Sequence, residues 1–67
     1  MRRATLVNLR KNEAMNIEIK QDGKPYSVLV TPGNPQSVAA DNFQSVQIKS
    51  LVARAWLRLD QETEIVA

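Results

Sequence analysis

Hydrophobic and polar positions alternate most cleanly between residues 15 and 30. Met15, Ile17 and Ile19 alternate with Asn16, Glu18 and Lys20, and Tyr26, Val28 and Val30 resume the period beyond Asp22-Gly23. A period of two puts alternate side chains on one face of a strand. Asp-Gly suits a type I′ hairpin turn, because both residues tolerate positive φ. With Asp22-Gly23 as a two-residue loop, Gln21 faces Lys24. Ile19 then pairs with Tyr26, Ile17 with Val28 and Met15 with Val30, all on one face. A one-residue slip would set each apolar residue against a polar one, so the pattern selects this register. Pro25 falls in a non-hydrogen-bonded pair with Lys20. Its missing N–H would have pointed outward, which marks an edge at that end of the strand.

Ahead of the hairpin, ATLVNL (4–9) predicts a first strand, with Thr5, Val7 and Leu9 on one face and Leu6 and Asn8 on the other. Apolar residues on both faces favour a central strand. The polar residues 10–14 read as a connection. Thr31–Pro35 is a turn cluster whose Pro32-Gly33 suits the centre of a type II turn, and SVAA (37–40) predicts a short strand. In the last third, Ile48, Leu51, Val52 and Ala55 follow helical spacing, and Gln47, Ser50 and Arg54 form the polar face. Asp41 stands three residues before Gln44, at capping-box spacing, and Ser45 is a second N-cap candidate. A turn at 41–44 and a helix over about 46–54 would use both. Beyond Arg54 the period changes. Ala55, Leu57 and Leu59 alternate with Trp56, Arg58 and Asp60, which predicts a last strand. QETEIVA (61–67) extends that strand or orders against a partner. The expected fold is α+β, mainly β: a small antiparallel sheet or partial barrel with one short helix. It forms a single domain over residues 1–67, with extended ends.

Composition changes the picture mainly through what is missing. A chain of 67 residues buries only roughly 60% of the surface its unfolded form exposes. It contains no Cys and no His. That removes disulfides, thiolate metal sites, the commonest general base and the commonest metal ligand. Oligomerisation is the remaining staple for so small a core. The net charge of +2 comes from nine Lys/Arg and seven Asp/Glu, and only Arg2-Arg3 and Arg10-Lys11 are adjacent cations. No apolar run approaches the roughly 18 residues of a membrane span. The segment after the N-terminal arginines is too short and too polar for a signal-peptide core. A soluble product made in the cytoplasm is therefore expected, with no membrane partner.

The seven acidic residues are scattered, and acid–base work needs two carboxyls that converge. No catalytic residue, metal ligand, cofactor or small-molecule substrate is expected, and the chain does not read as an enzyme. For nucleic acid the candidates are Arg2, Arg3, Arg10, Lys11, Lys20 and Lys24, with Tyr26 and Trp56 for stacking. Against them stands the plainer reading of solvated cations, and Tyr26 is expected on the core face. Trp56 has two readings. It is either a core residue closing one end of the barrel or an interface anchor, since Trp and Arg dominate binding hot spots. Arg54, Trp56 and Arg58 share one face of the expected last strand and are the candidate interface.

Several segments together carry a family resemblance: TLVNL, the Gly-centred hairpin, the Pro-Gly turn, VAADNF and then SVQIKSLVARAWLRL. The chain resembles small phage- and prophage-encoded virion accessory proteins. There the last segment often carries Arg-Gly before an apolar–Leu–Arg–apolar run. Ala55 stands here where that Gly would supply a left-handed helix stop. The resemblance implies a minor head-decorating, collar or tail component, made in the host cytoplasm and then built into the virion. Its partners would be larger virion proteins and copies of itself. A regulatory or inhibitor protein binding one host protein, and a single-stranded nucleic-acid-binding module, are the alternatives.

Overall fold

The alternating segments around Asp22-Gly23 form a hairpin of β2 (Met15–Gln21) and β3 (Lys24–Val30), in a computed structural model that describes residues 1–64. The register is the expected one: Met15 opposite Val30, Ile17 opposite Val28, Ile19 opposite Tyr26 and Lys20 opposite Pro25. Asp22 and Gly23 both have positive φ, 52° and 75°, as a type I′ turn demands. Met15, Ile17, Ile19 and Val30 are buried and Val28 is half-buried. Tyr26 is the exception on this face. It was expected in the core, but it lies on the outer strand of the hairpin, and half of its surface is exposed although Ile19 opposite it is buried.

The second sheet has the order β4-β1-β5, all antiparallel, with β1 at Arg2–Asn8, β4 at Gln36–Ala40 and β5 at Leu57–Glu64. β1 is central, as its two-faced apolar pattern predicted. It starts two residues earlier than expected and ends at Asn8, which leaves Leu9 exposed in the loop. β5 extends past Asp60 by absorbing a bulge. The register moves from Thr5–Asp60 to Arg3–Thr63, so β5 carries one extra residue there. Gln61 takes φ +54°, the local kink such an insertion produces. The expectation for Ile65–Ala67 lies outside the described residues.

Between β3 and β4, Gly33 has φ +74° and the Asn34 N–H donates to the Thr31 carbonyl at 3.2 Å. This is the type II turn expected for Pro32-Gly33.

The helix α1 spans Val46–Ala53, and Ser45 Oγ accepts the Ile48 N–H at its start. Ser45 is thus the N-cap. The capping box drawn from Asp41 does not form. Gln44 N–H donates instead to Asn42 Oδ1, and Asp41 accepts from the Asp22 and Gly23 amides of the hairpin turn. The core joins both sheets and the helix: Ala4 and Leu6, the β2 stripe, Val30, Ala40, Phe43, Ile48 and Leu57. The side chain closing it is Phe43, fully buried between β4 and α1. Of the expected helical face, Ile48 is buried and Leu51 half-buried, while Val52 and Ala55 are exposed. One buried turn suffices for an eight-residue helix that crosses only the end of the sheets.

One side-chain amide and one backbone amide close the seam between the sheets, and a second side-chain amide joins α1 to β2. Gln21 Nε2 donates to the Ala39 carbonyl, and Asp41 N–H donates to the Lys20 carbonyl at 2.7 Å. Gln47 Oε1 accepts the Glu18 N–H, and its Nε2 donates to the Asn16 carbonyl, both at 2.9 Å. One side chain thereby stands in for a strand along the outer edge of β2.

Candidate functional site: an arginine–tryptophan cluster

Trp56 is placed by the way α1 ends. Its N–H donates to the Leu51 carbonyl and the Ala55 N–H donates to the Val52 carbonyl, both at 3.0 Å. Ala55 lies at φ +60°. These are the two bonds and the left-handed residue of a Schellman motif. The motif forms with Ala at the position where Gly is usual, so the backbone stops the helix without the usual residue. The Trp56 carbonyl then accepts the Leu9 N–H at 2.8 Å, tying the helix end to the loop after β1.

That loop is organised by Asn8, the buried polar side chain of the fold. Its Nδ2 donates to the Glu13 and Val30 carbonyls at 2.7 and 2.9 Å, and its Oδ1 accepts the Arg10 N–H at 2.8 Å. Every polar atom of the amide has work, which a buried amide requires. Arg10 is consequently held in a fixed place. Its Nη2 meets Glu13 Oε1 at 2.8 Å, and its guanidinium carbon lies 4.3 Å from the Trp56 ring centroid. Arg54, at the helix C-cap, puts a second guanidinium 5.3 Å from the same centroid. Both are within cation–π range. Trp56 itself is half-buried and packs against the core beside Leu51.

The expected trio is therefore rearranged. Arg54 belongs to the helix end rather than to a strand, because β5 starts only at Leu57. Arg54 and Trp56 do come together. Arg58, exposed on β5, turns to Asp60 with three hydrogen bonds of 3.0–3.2 Å. Arg10 takes its place over the indole. Arg10 was visible in the sequence as half of an adjacent cation pair and as one of the nucleic-acid candidates, not as a partner of Trp56. The usable signal was Asn8, a lone amide in the Leu6 frame of a central strand.

The cations do not form one field. Arg2 pairs with Glu62, Arg10 with Glu13 and Arg58 with Asp60. Nor do the aromatics form one platform. Trp56 lies near the Val30 end of the hairpin, through Leu9 and Asn8. Tyr26 lies four residues back along β3, about 13 Å away at strand rise. A hollow of about 370 Å³ lies between the hairpin turn and α1, lined in part by Lys20, Pro25, Asp41 and Ser45. Two carboxylates line it, Glu18 and Asp41, and Asp41 already serves the turn. The Gly23 and Asp22 amides hold that carboxyl below its ordinary pKa.

Among the described residues no group of three or more His, Cys, Asp or Glu is placed to hold a metal ion. No helix among them is long and apolar enough to cross a membrane. Comparison with known proteins finds no matching family model, curated protein or solved structure.

Proposed function

We propose that the chain is a structural accessory protein of a phage particle, a minor head-decorating, collar or tail component that acts by protein–protein assembly. The observation that carries this reading is the Arg10–Trp56–Arg54 cluster. Trp and Arg are the residues most enriched among interface hot spots. Here an indole with one side on the core presents its remainder with two guanidiniums over it. Arg10 is ordered in advance by Asn8 and Glu13. An interface built on it loses less side-chain entropy on binding. The resemblance of SVQIKSLVARAWLRL to small virion accessory proteins points the same way. In this reading the partner is a larger virion protein, the chain is made in the host cytoplasm before joining the particle, and no catalytic step or cofactor is involved.

A single-stranded nucleic-acid module is less well supported. Arg10 covers indole surface that a base would use, and three of the five arginines are already paired with carboxylates.

The test is incorporation into particles. Arg10→Glu and Arg54→Glu reverse the half-buried and the exposed cation of the cluster and leave the apolar core residues in place. Each variant is expected to keep the wild-type circular dichroism, with Arg10→Glu melting slightly lower because it sets a second acid beside Glu13, and to be lost from purified particles assayed by quantitative mass spectrometry. Undiminished incorporation of both variants, or absence of the wild-type chain from particles, would overturn the proposal. Recovery of a single host protein by the wild-type chain, with no virion protein, would favour the regulatory alternative.

A further inference from the structure

The strand edges of this fold are guarded unequally. Along β2, Gln47 takes the Asn16 carbonyl and the Glu18 amide, and Asp41 takes the Lys20 carbonyl. On β4, Gln21 takes the Ala39 carbonyl. β5 carries Arg58, Asp60, Glu62 and Glu64 together with the bulge at Gln61. Charges and bulges are the usual protection of an open edge. β3 has neither. Its one charge is Lys24, at the start of the strand, and its one proline follows directly. The two-residue turn makes Gln21–Lys24 a hydrogen-bonded pair. Alternation then directs the backbone groups of Pro25, Ser27 and Leu29 outward. Among the described residues no hydrogen bond reaches the outward groups of Ser27 or Leu29. Leu29 is 56% exposed and Tyr26 50%.

We propose that β3 is a self-pairing edge: two copies of the chain join antiparallel about a two-fold axis at Ser27, making a continuous sheet β2-β3-β3-β2. Ser27 is the midpoint of Lys24–Val30, so this register uses the whole strand. It sets Tyr26 opposite the partner's Val28 on the core face and Leu29 opposite the partner's Pro25 on the outer face. Ser27 meets its own copy. Tyr26 with Val28 and Pro25 with Leu29 are apolar pairs; the exceptions are Ser27 at the axis and Lys24 against Val30 at the two ends. Ser27 exchanges both its backbone groups with the partner's Ser27. The Leu29 N–H donates to the carbonyl of the partner's Pro25, a bond that needs no proline N–H. Sliding the register either way runs one end into the Pro32-Gly33 or the Asp22-Gly23 turn. Charge does not oppose the pairing. The two Lys24 side chains lie at opposite ends of the joint ribbon, about 20 Å apart at strand rise, roughly two Debye lengths at 0.1 M salt. The symmetry is the isologous kind that closes at two copies. None of this depends on the Trp56 cluster or on the phage reading.

Sedimentation of the purified chain from low micromolar to several hundred micromolar tests the proposal. The wild type is expected to pass from monomer to dimer over this range. Leu29→Lys, at an exposed outer-face position, should weaken the dimer about tenfold or more, because it replaces an apolar pair twice per dimer. Ser27→Pro removes the central outward N–H and should give a monomer with an unchanged fold. If that variant unfolds, Leu29→Lys decides. The chain has no native cysteine, so Ser27→Cys gives one thiol at the axis. Directly opposed hydrogen-bonded residues have Cα atoms about 5.5 Å apart, within disulfide reach. This variant should oxidise to a covalent dimer much faster than Lys49→Cys on the helix. A wild type that stays monomeric throughout overturns the proposal, as does a dimer undiminished by Leu29→Lys. The monomeric variant can still be assayed for particle incorporation, so failure of the β3 pairing and failure of the assembly reading are separate results.

Discussion

Replacing Ala55 with Gly should stabilise the protein. Ala55 sits at φ +60°, at the left-handed position of a Schellman motif whose two hydrogen bonds are both formed. An L-residue with a Cβ held there costs about 1–2 kcal/mol relative to a right-handed conformation, and glycine escapes that cost. Glycine also loosens the unfolded chain, which takes back about 0.4–1 kcal/mol. The net gain is about 0.5–1 kcal/mol. Ala55 is exposed, so deleting its methyl group removes little packing. For a domain of this size the gain corresponds to a rise of about 3–6 °C in melting temperature. Thermal melts followed by circular dichroism, with urea unfolding followed through the single Trp, measure both quantities. The reverse change provides a control. Gly33 has φ +74°, and a Cβ there would meet nothing within 4 Å. Gly33→Ala should therefore lose about 0.5–1 kcal/mol through backbone conformation alone. An Ala55→Gly variant no more stable than wild type, while Gly33→Ala is destabilised as expected, would show that the helix end is not held in the left-handed state and would refute the reasoning.

Three other changes separate the polar contacts that organise the fold. Asn8→Ala leaves the Val30 and Glu13 carbonyls and the Arg10 amide without their partner; it should cost about 2–3 kcal/mol in urea unfolding and alter Trp56 fluorescence as the Arg10 loop loosens. Gln47→Ala opens the β2 edge; it should cost about 1 kcal/mol, and amide exchange at Glu18 should accelerate while exchange at Ile17 does not. Asp41→Asn tests pH dependence. The Asp41 carboxyl titrates lower in the folded chain than its ordinary 3.8, so its stabilisation is complete above the unfolded value and disappears as pH falls through the lower folded value. Between about pH 5 and 2 the wild-type melting temperature should fall further than that of Asp41→Asn; equal falls would remove Asp41 as a source of acid sensitivity.

The parts of the fold that were legible in the sequence are those where one face is buried and the other is wet. Around Asp22-Gly23 the period of two, the turn dipeptide and the proline all specify one register, and any slip exposes the Met15–Ile17–Ile19 stripe. Apolar residues on both faces marked β1 as a central strand, and cap preference offered Ser45 beside Asp41 as a helix start. Periodicity failed at Tyr26 because it reports which way a side chain points, not whether the core reaches the outer strand as it does the inner one, where Ile19 opposite is buried. It failed at Arg54 and Trp56, though not at Arg58 on β5, because the helix end consumes two residues in the Schellman turn before β5 begins. Strand alternation carried back to Arg54 therefore assigns a face to residues that are not yet in a strand.

Asn8, Gln21, Asp41 and Gln47 escaped for a different reason, and it bears on how so short a chain closes its core. Each uses a short polar side chain to satisfy backbone groups of another segment, 18 to 31 residues away in the case of Gln47, Gln21 and Asp41 and up to 22 for Asn8. Hydropathy counts such residues as surface, yet they stand where a longer protein would place another strand. They lower the number of residues that must be ordered to satisfy the sheet edges, at a cost in conformational entropy of only one side chain each. This economy has a limit. A side-chain amide can cap two backbone groups, as Gln47 does on β2, but among the described residues no hydrogen bond from α1 reaches β3 on the far side of the hairpin. The edge left without such a cap is the one whose residues are apolar and whose register is self-complementary. The small core and the open β3 edge are therefore linked: a chain with one short helix can cover one side of its hairpin, and a second copy is the economical cover for the other.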